Sequence, residues 1–167
     1  RGANLTTSSG TSLSGTTVGA LTLNNVSITS SGTRALSLSG GSAAMTVTLD
    51  SVTATGGTTA INLTNNRGQV TINGGAIQNT NNEAIRLANS SGTLDFTLRN
   101  STIATLQQDG LRVGNSNSGG FGIITVQNTT FTNNHVGIRV NLTDTGSISK
   151  LEVRGNRFTG NNTAVEL

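Results

Sequence analysis

Glu83, Asp109 and His135 are the side chains best suited to move protons, and Arg86, Arg112 and Arg139 those best suited to hold an anion. The two carboxylates match one another in position, as do the three arginines, in units that recur every 23 to 28 residues, and His135 lies one residue before the place that matches Asp109. Glu83 and Asp109 are therefore expected on adjacent turns of the chain, with His135 on the bend of the next. Two carboxylates roughly 5 Å apart match the spacing of a retaining glycosidase. A neighbouring histidine would serve as base, and the same oxygens would suit a hard cation. The simpler expectation is that Arg86 and Arg112 neutralise Glu83 and Asp109 in a surface network of little energetic weight. Three arginines on consecutive turns repel one another unless water, a carboxylate or an anionic ligand offsets them. Arginine grips carboxylates and sulfates through paired hydrogen bonds, so an acidic polysaccharide is a natural partner for Arg86, Arg112 and Arg139.

The elements that position these residues are legible as a repeat. Six units run Leu21–Leu38, Val47–Leu63, Val70–Leu87, Phe96–Val113, Ile124–Val140 and Leu151–Leu167. Within each, apolar residues alternate with polar ones, the period of a strand. Aligned, they form five inward columns. The first strand carries Leu21, Val47, Val70, Phe96, Ile124, Leu151 and then Leu23, Leu49, Ile72, Leu98, Val126, Val153. A third column holds Ile28, Ala54, Ile77, Ile103, Phe131, Phe158. After a polar bend and a small residue come Leu36, Ile61, Ile85, Leu111, Ile138, Val165 and Leu38, Leu63, Leu87, Val113, Val140, Leu167. No unit buries its apolar face alone, so neighbours must stack. The expected fold is all-β: a single parallel β-solenoid domain over residues 1–167. About six coils lie over 21–167, with 1–20 as a partial or irregular first coil. The segments Gly114–Gly120 and Asn141–Ser149 are expected to be the most protruding loops.

The run V-x-[LIV]-x-N-x-x-[IF], a polar bend, then [GA]-[IVL]-x-[VL] is clearest at Val126–Phe131 and Gly137–Val140. It resembles the right-handed parallel β-helix repeat of the pectate-lyase-like superfamily, over about Leu21 to Leu167. The resemblance implies a right-handed coil. It also implies a range of roles: polysaccharide lyases and hydrolases, phage tailspikes, and adhesins or other secreted bacterial surface proteins. The aspartate cluster that binds calcium in pectate lyases has no counterpart here, nor has the N-x-D, D-D and G-H-G set of polygalacturonases. No residue is assigned a catalytic role on this basis; Glu83, Asp109 and His135 stay as candidates for a lyase or hydrolase reading.

Composition narrows the function classes. Only 2% of residues are aromatic, whereas sugar-processing grooves stack rings on aromatic faces. A net charge of +3 is too weak to indicate nucleic acid. There is no cysteine, and no apolar run has the length of a membrane span. Neither a cofactor nor a metal is implied. The chain starts at Arg1 and stops on an inward position, which reads as a processed subunit or a segment of something longer. The expected function is an extracellular or cell-surface structural solenoid, such as an adhesin passenger or fibre subunit. Leu151, Val153, Phe158, Val165 and Leu167 would form its end-to-end contact. A polysaccharide-binding or polysaccharide-degrading β-helix is the alternative. Ice binding is a lesser one, suggested by the file Thr22, Thr48, Thr71, Thr97, Thr125 that ends at Glu152. Asn25, Asn100 and Asn128 are expected to bond backbone groups at a bend. Sequons at Asn4, Asn25, Asn62, Asn89, Asn100, Asn128, Asn141 and Asn161 would be glycosylated only in a secreted protein of a suitable host.

Overall fold

The computed structural model describes residues 2–41, 43–89, 92–105, 108–115, 119–143 and 146–167. Every coil contributes up to three strands, all pairing in parallel with the coil before and after. The first and second strands form an 11-stranded sheet. In the early coils they run together, as Thr22–Ser30 and Met45–Thr55. Later they separate, as Gly68–Ile72 and Gly75–Gln78, Thr93–Arg99 and Ser101–Ala104, Gly120–Gln127 and Thr130–Thr132, Ile148–Arg154 and Arg157–Thr159. The third strands, Arg34–Ser39, Ile61–Thr64, Ile85–Asn89, Leu111–Asn115, Val136–Asn141 and Thr163–Glu166, belong to a 7-stranded sheet. Ahead of them, Ala3–Thr7 and Thr11–Thr16 pair with the first repeat as a further, two-strand rung.

The apolar columns stack as the alternation requires. Leu36, Ile61, Ile85, Leu111 and Ile138 follow one another in register and are fully buried. The small residues just before this column have a packing reason. A Cβ on Gly110 would sit 2.8 Å from a ring carbon of Phe131, and one on Gly137 would sit 2.7 Å from Phe158. Where the third column changes from isoleucine to phenylalanine, alanine gives way to glycine one coil below. The two rings stack at 5.1 Å.

Three features depart from the sequence reading. The first repeat is displaced by one inward pair: Leu23, not Leu21, lies against Val47, and Val26 lies against Leu49. Ile28 likewise meets Val52, and Ser30 meets Ala54. Asn25, with φ 56°, makes the break. A shift of two residues keeps apolar groups facing inward, whereas a shift of one would expose them all. Secondly, a sixth column precedes the first: Met45, Gly68, Leu94, Phe121 and Ile148. It stands two residues before Val47, Val70 and Phe96 but three before Ile124 and Leu151. The extra residue is absorbed between Leu94/Phe96 and Phe121/Ile124 as a bulge. Thirdly, Gly114 and Gly120 continue regular strands, Leu111–Asn115 and Gly120–Gln127. Residues 116–118 and 144–145 of the two expected loops lie outside the described residues.

Asparagine does two separate jobs at the bends. Asn25, Asn100 and Asn128 adopt left-handed backbone (φ 56°, 49° and 51°), as glycine does at the matching Gly155 (φ 64°). Asparagine tolerates that region better than other side-chain-bearing residues. Of the three, Asn100 donates to a neighbouring backbone oxygen, that of Asn73, at 3.4 Å. The bonds between coils come mainly from other asparagines. Asn134, 1% exposed, accepts from the Thr105 N–H and hydroxyl at 2.9 Å each and donates to the Ile103 carbonyl at 3.2 Å. It continues to Asn161, whose Oδ1 accepts from the Asn134 N–H and side-chain amide at 2.9 and 2.8 Å. At another bend, Asn89 accepts from the Asn66 N–H at 3.0 Å and donates to the Asn66 and Gly120 carbonyls at 3.1 and 3.0 Å. These amides satisfy backbone groups that a bend would leave unpaired.

Candidate functional site: an arginine-edged cleft

The outward column of the third strands is continuous: Ser37, Asn62, Arg86, Arg112, Arg139 and Glu166 are successive partners. Rungs of a sheet stand about 4.8 Å apart, so the three arginines cluster closely. Two residues along each strand, the outward neighbours of Arg86 and Arg112 are Ala88 and Gly114, which leave the surface low. Between these small residues and the flanking Glu83 and Asn141 lies an open cleft of about 440 Å³, bordered by Arg86 and Arg112.

The arginines are not equivalent. Arg86 lies 3.6 Å from Glu83 and remains 55% exposed. Arg139 is the anchored one, 22% exposed, with its Nε donating to Asp109 at 2.8 Å and its Nη1 to Glu166 at 2.7 Å. Arg112 has no ion pair or hydrogen bond among the described residues. The expected pairing of Arg112 with Asp109 is thus corrected. A strand directs alternate side chains straight outward, and Asp109 sits on the bend, within reach of the following coil's Arg139 rather than its own.

The three candidates for proton transfer lie on adjacent coils, where the Ala84 N–H bonds the Asp109 carbonyl and the His135 N–H bonds that of Gln108, but their side chains take different partners. Glu83 borders the cleft, and Asp109 is gripped by Arg139. His135 is exposed, with its Nδ1 3.1 Å from the Asn162 amide; it hydrogen-bonds neither carboxylate. Among the described residues no three of His, Asp and Glu converge to hold a metal ion. The residues named for end contacts lie on the last rung. Leu151, Val153 and Phe158 are half-buried, while Val165 and Leu167 are 36% and 84% exposed. The sequons sort by placement. Asn89 is 1% exposed and its amide is committed to the core, and Asn161 is bonded to Asn134 and Phe131. Asn4 and Asn141 are exposed.

The buried asparagine pairs escaped sequence reading because asparagine is abundant throughout the chain. Their usable signal was recurrence at one repeat interval, 23 residues for Asn66 and Asn89 and 27 for Asn134 and Asn161.

Stacked parallel rungs, three strands to a coil, with polar bends and an apolar bore, define a parallel β-helix. The family described as right-handed beta helix region matches residues 9–167, and the chain belongs to it. Neither a curated protein nor a solved structure matches the chain.

Proposed function

We propose that this chain is a structural solenoid of the cell exterior, a rod segment of the kind found in adhesin passengers or fibre subunits, rather than a catalyst. The observation that carries this reading is the state of its acids: Glu83 and Asp109 each face an arginine. A carboxylate occupied by a guanidinium has fewer oxygen lone pairs left to meet a substrate. Its buried asparagines support the same view, since their bonds join coil to coil. Leu151, Val153, Phe158, Val165 and Leu167 continue the inward columns to the last rung. A following rung, from a second copy or from the same chain, would bury them.

The test pairs electron microscopy with an assay for turnover of uronate-containing polymers. Filaments that vanish in Val165→Asp/Leu167→Asp, together with no turnover, are expected. Turnover abolished by Glu83→Gln/Asp109→Asn would overturn the reading.

Arg112, without a partner among the described residues, favours a second reading, a cleft that binds an anionic glycan without transforming it. Binding of oligogalacturonate should then weaken with added salt and disappear in Arg112→Ala. Salt-independent binding would count against it.

A further inference from the structure

Away from the arginine-edged cleft, the 11-stranded sheet carries Thr48, Thr71, Thr97 and Thr125 in register. Thr22, expected in this file, instead meets Thr46 because of the first-coil shift. These threonines floor a trough of about 320 Å³, with Ile123 45% exposed at its rim. Glu152, bonded to Lys150 and to the Thr125 hydroxyl, closes it. Beside the file runs a second outward column, Asp50, Asn73, Arg99, Gln127 and Arg154. Within it, Asn73 sits with Gly74 at the joint between the strands Gly68–Ile72 and Gly75–Gln78.

Nowhere else in the chain does glycine follow asparagine. The side-chain amides of Asn66, Asn89, Asn134, Asn156 and Asn161 all donate to main-chain carbonyls. Among the described residues the Asn73 amide has no such bond, and the Gly74 N–H has no acceptor. The main chain around them is held nonetheless. The Asn73 N–H donates to the Leu49 carbonyl, and the Val52 N–H to that of Gly74, both at 3.0 Å. Both residues are half-buried, so water reaches them. Glycine at 74 is not demanded by packing: beyond its chain neighbours, a Cβ there would meet nothing nearer than the Asp50 carbonyl at 3.5 Å. Its neighbour differs, for Gly75 has φ 119° and a Cβ on it would run into the Val52 carbonyl.

We propose that Asn73–Gly74 is a self-modifying site, at which the folded protein deamidates through a succinimide with water as the only co-reactant. The Gly74 nitrogen gives its proton to water or hydroxide and attacks Asn73 Cγ, an approach left open by the missing Cβ. The bond from Cγ to the side-chain nitrogen breaks, and that nitrogen leaves as ammonia, taking a proton back from water. One water then opens the ring. Breaking the bond from the Gly74 nitrogen to Cγ yields aspartate; breaking its bond to the main-chain carbonyl carbon yields isoaspartate. Nothing is oxidised or reduced. Ile72 pairs with both Leu49 and Leu98, so the new carboxylate stands between Asp50 and Arg99, with the guanidinium on the following coil to offset it. Aspartate leaves the main chain as it was. Isoaspartate lengthens it by one methylene at a joint whose bonds to the previous coil fit the shorter path. The chemistry does not depend on the role of the chain as a rod.

The test is incubation of the purified, folded protein in neutral and in mildly alkaline buffer, with peptide mass spectrometry following every asparagine. Electron-transfer fragmentation separates aspartate from isoaspartate, and isotopically labelled water marks the oxygen gained. Residue 73 should convert ahead of all other asparagines, and faster at the higher pH because the Gly74 nitrogen must lose its proton. Gly74→Ala, for which there is room, should abolish conversion at 73 over the same interval. Asn73→Asp should fold as the parent does, since it is the aspartyl product. Circular dichroism checks both variants. The proposal is overturned if another asparagine converts first, or if Gly74→Ala converts as the parent does. Conversion at 73 only after unfolding in urea would overturn it too, because the fold would then be protecting the pair.

Discussion

In the 7-stranded sheet the pairs Leu36–Ile61, Ile61–Ile85, Ile85–Leu111, Leu111–Ile138 and Ile138–Val165 run without a slip. The 11-stranded sheet breaks register in two places, at the successive slips Leu23/Val26 and Val26/Ser27 and at Leu94/Phe96. The third strands repeat one fixed spacing of inward residues, so nothing needs correcting. The first strands vary that spacing, and each mismatch is absorbed by a bulge that preserves inward parity. The consequences differ in kind. The regular sheet displays a column in which Arg86 and Arg139 differ in partner and in exposure. The irregular one gains an outward isoleucine and a sunken threonine file. In this solenoid, shape variation on a repeating surface comes from the strands that fail to repeat.

The largest test of the contrast lies in the core. Leu63→Ala, at a fully buried site of the regular sheet, should cost about 2–5 kcal/mol in urea unfolding. Leu23→Ala, half-buried beside the first register break, should cost about 1–2 kcal/mol because less surface leaves water there. Equal losses would mean that the first coil is as well packed as the rest. A smaller effect is expected at the second break. A Cβ on Gly122 would sit on the Asp95 carboxylate, 2.0 Å from Oδ1, so Gly122→Ala should displace that acid and lose its bond to Ile123. A loss of about 1–2 kcal/mol follows for a bond to a charged acceptor, with the Ile123 amide resonance moving most. A spectrum changed elsewhere but not at Ile123 would detach the bulge from Asp95. Asn25→Ala should cost about 1 kcal/mol, the penalty of left-handed backbone for a residue with Cβ, and Asn25→Gly should not.

The mildest effect concerns the acid that closes the trough. Glu152 is held below its ordinary value near 4.5, first by the hydrogen bond from Lys150 and then by its positive charge. Burial opposes this and Thr125 assists it. Because the folded form binds its proton less readily than the unfolded one, this contribution to stability is complete above the unfolded value. It fades as pH falls through the folded one. A carbon-detected titration should show a low midpoint for Glu152 that rises in Lys150→Met; an unchanged midpoint would remove Lys150 as the cause.

Much of the architecture was legible because it depends on near neighbours in the chain. The columns Leu36 to Ile138 and Leu38 to Val113 follow from alternation and the repeat interval alone. Leu94 and Phe121 obey the same alternation, yet the three-residue step from Phe121 to Ile124 hid them. The candidate site was legible as a column of arginines but not as a site. Side-chain partners are chosen between coils, and Asp109 could reach Arg112 or Arg139 with equal ease on paper.

By itself, the sequence determined that this chain must coil and stack, since a period of two repeated every 23 to 28 residues leaves each apolar face uncovered until another turn lies on it. It also determined which residues of the third strands face inward. Tertiary structure alone decided the pairing of Asp109 with Arg139 rather than Arg112, the asparagine bonds between coils and the trough over Thr97. Each of these depends on rung-to-rung register and on which way a bend turns a side chain. Bulges of a single residue set both, and alternation does not reveal where they fall.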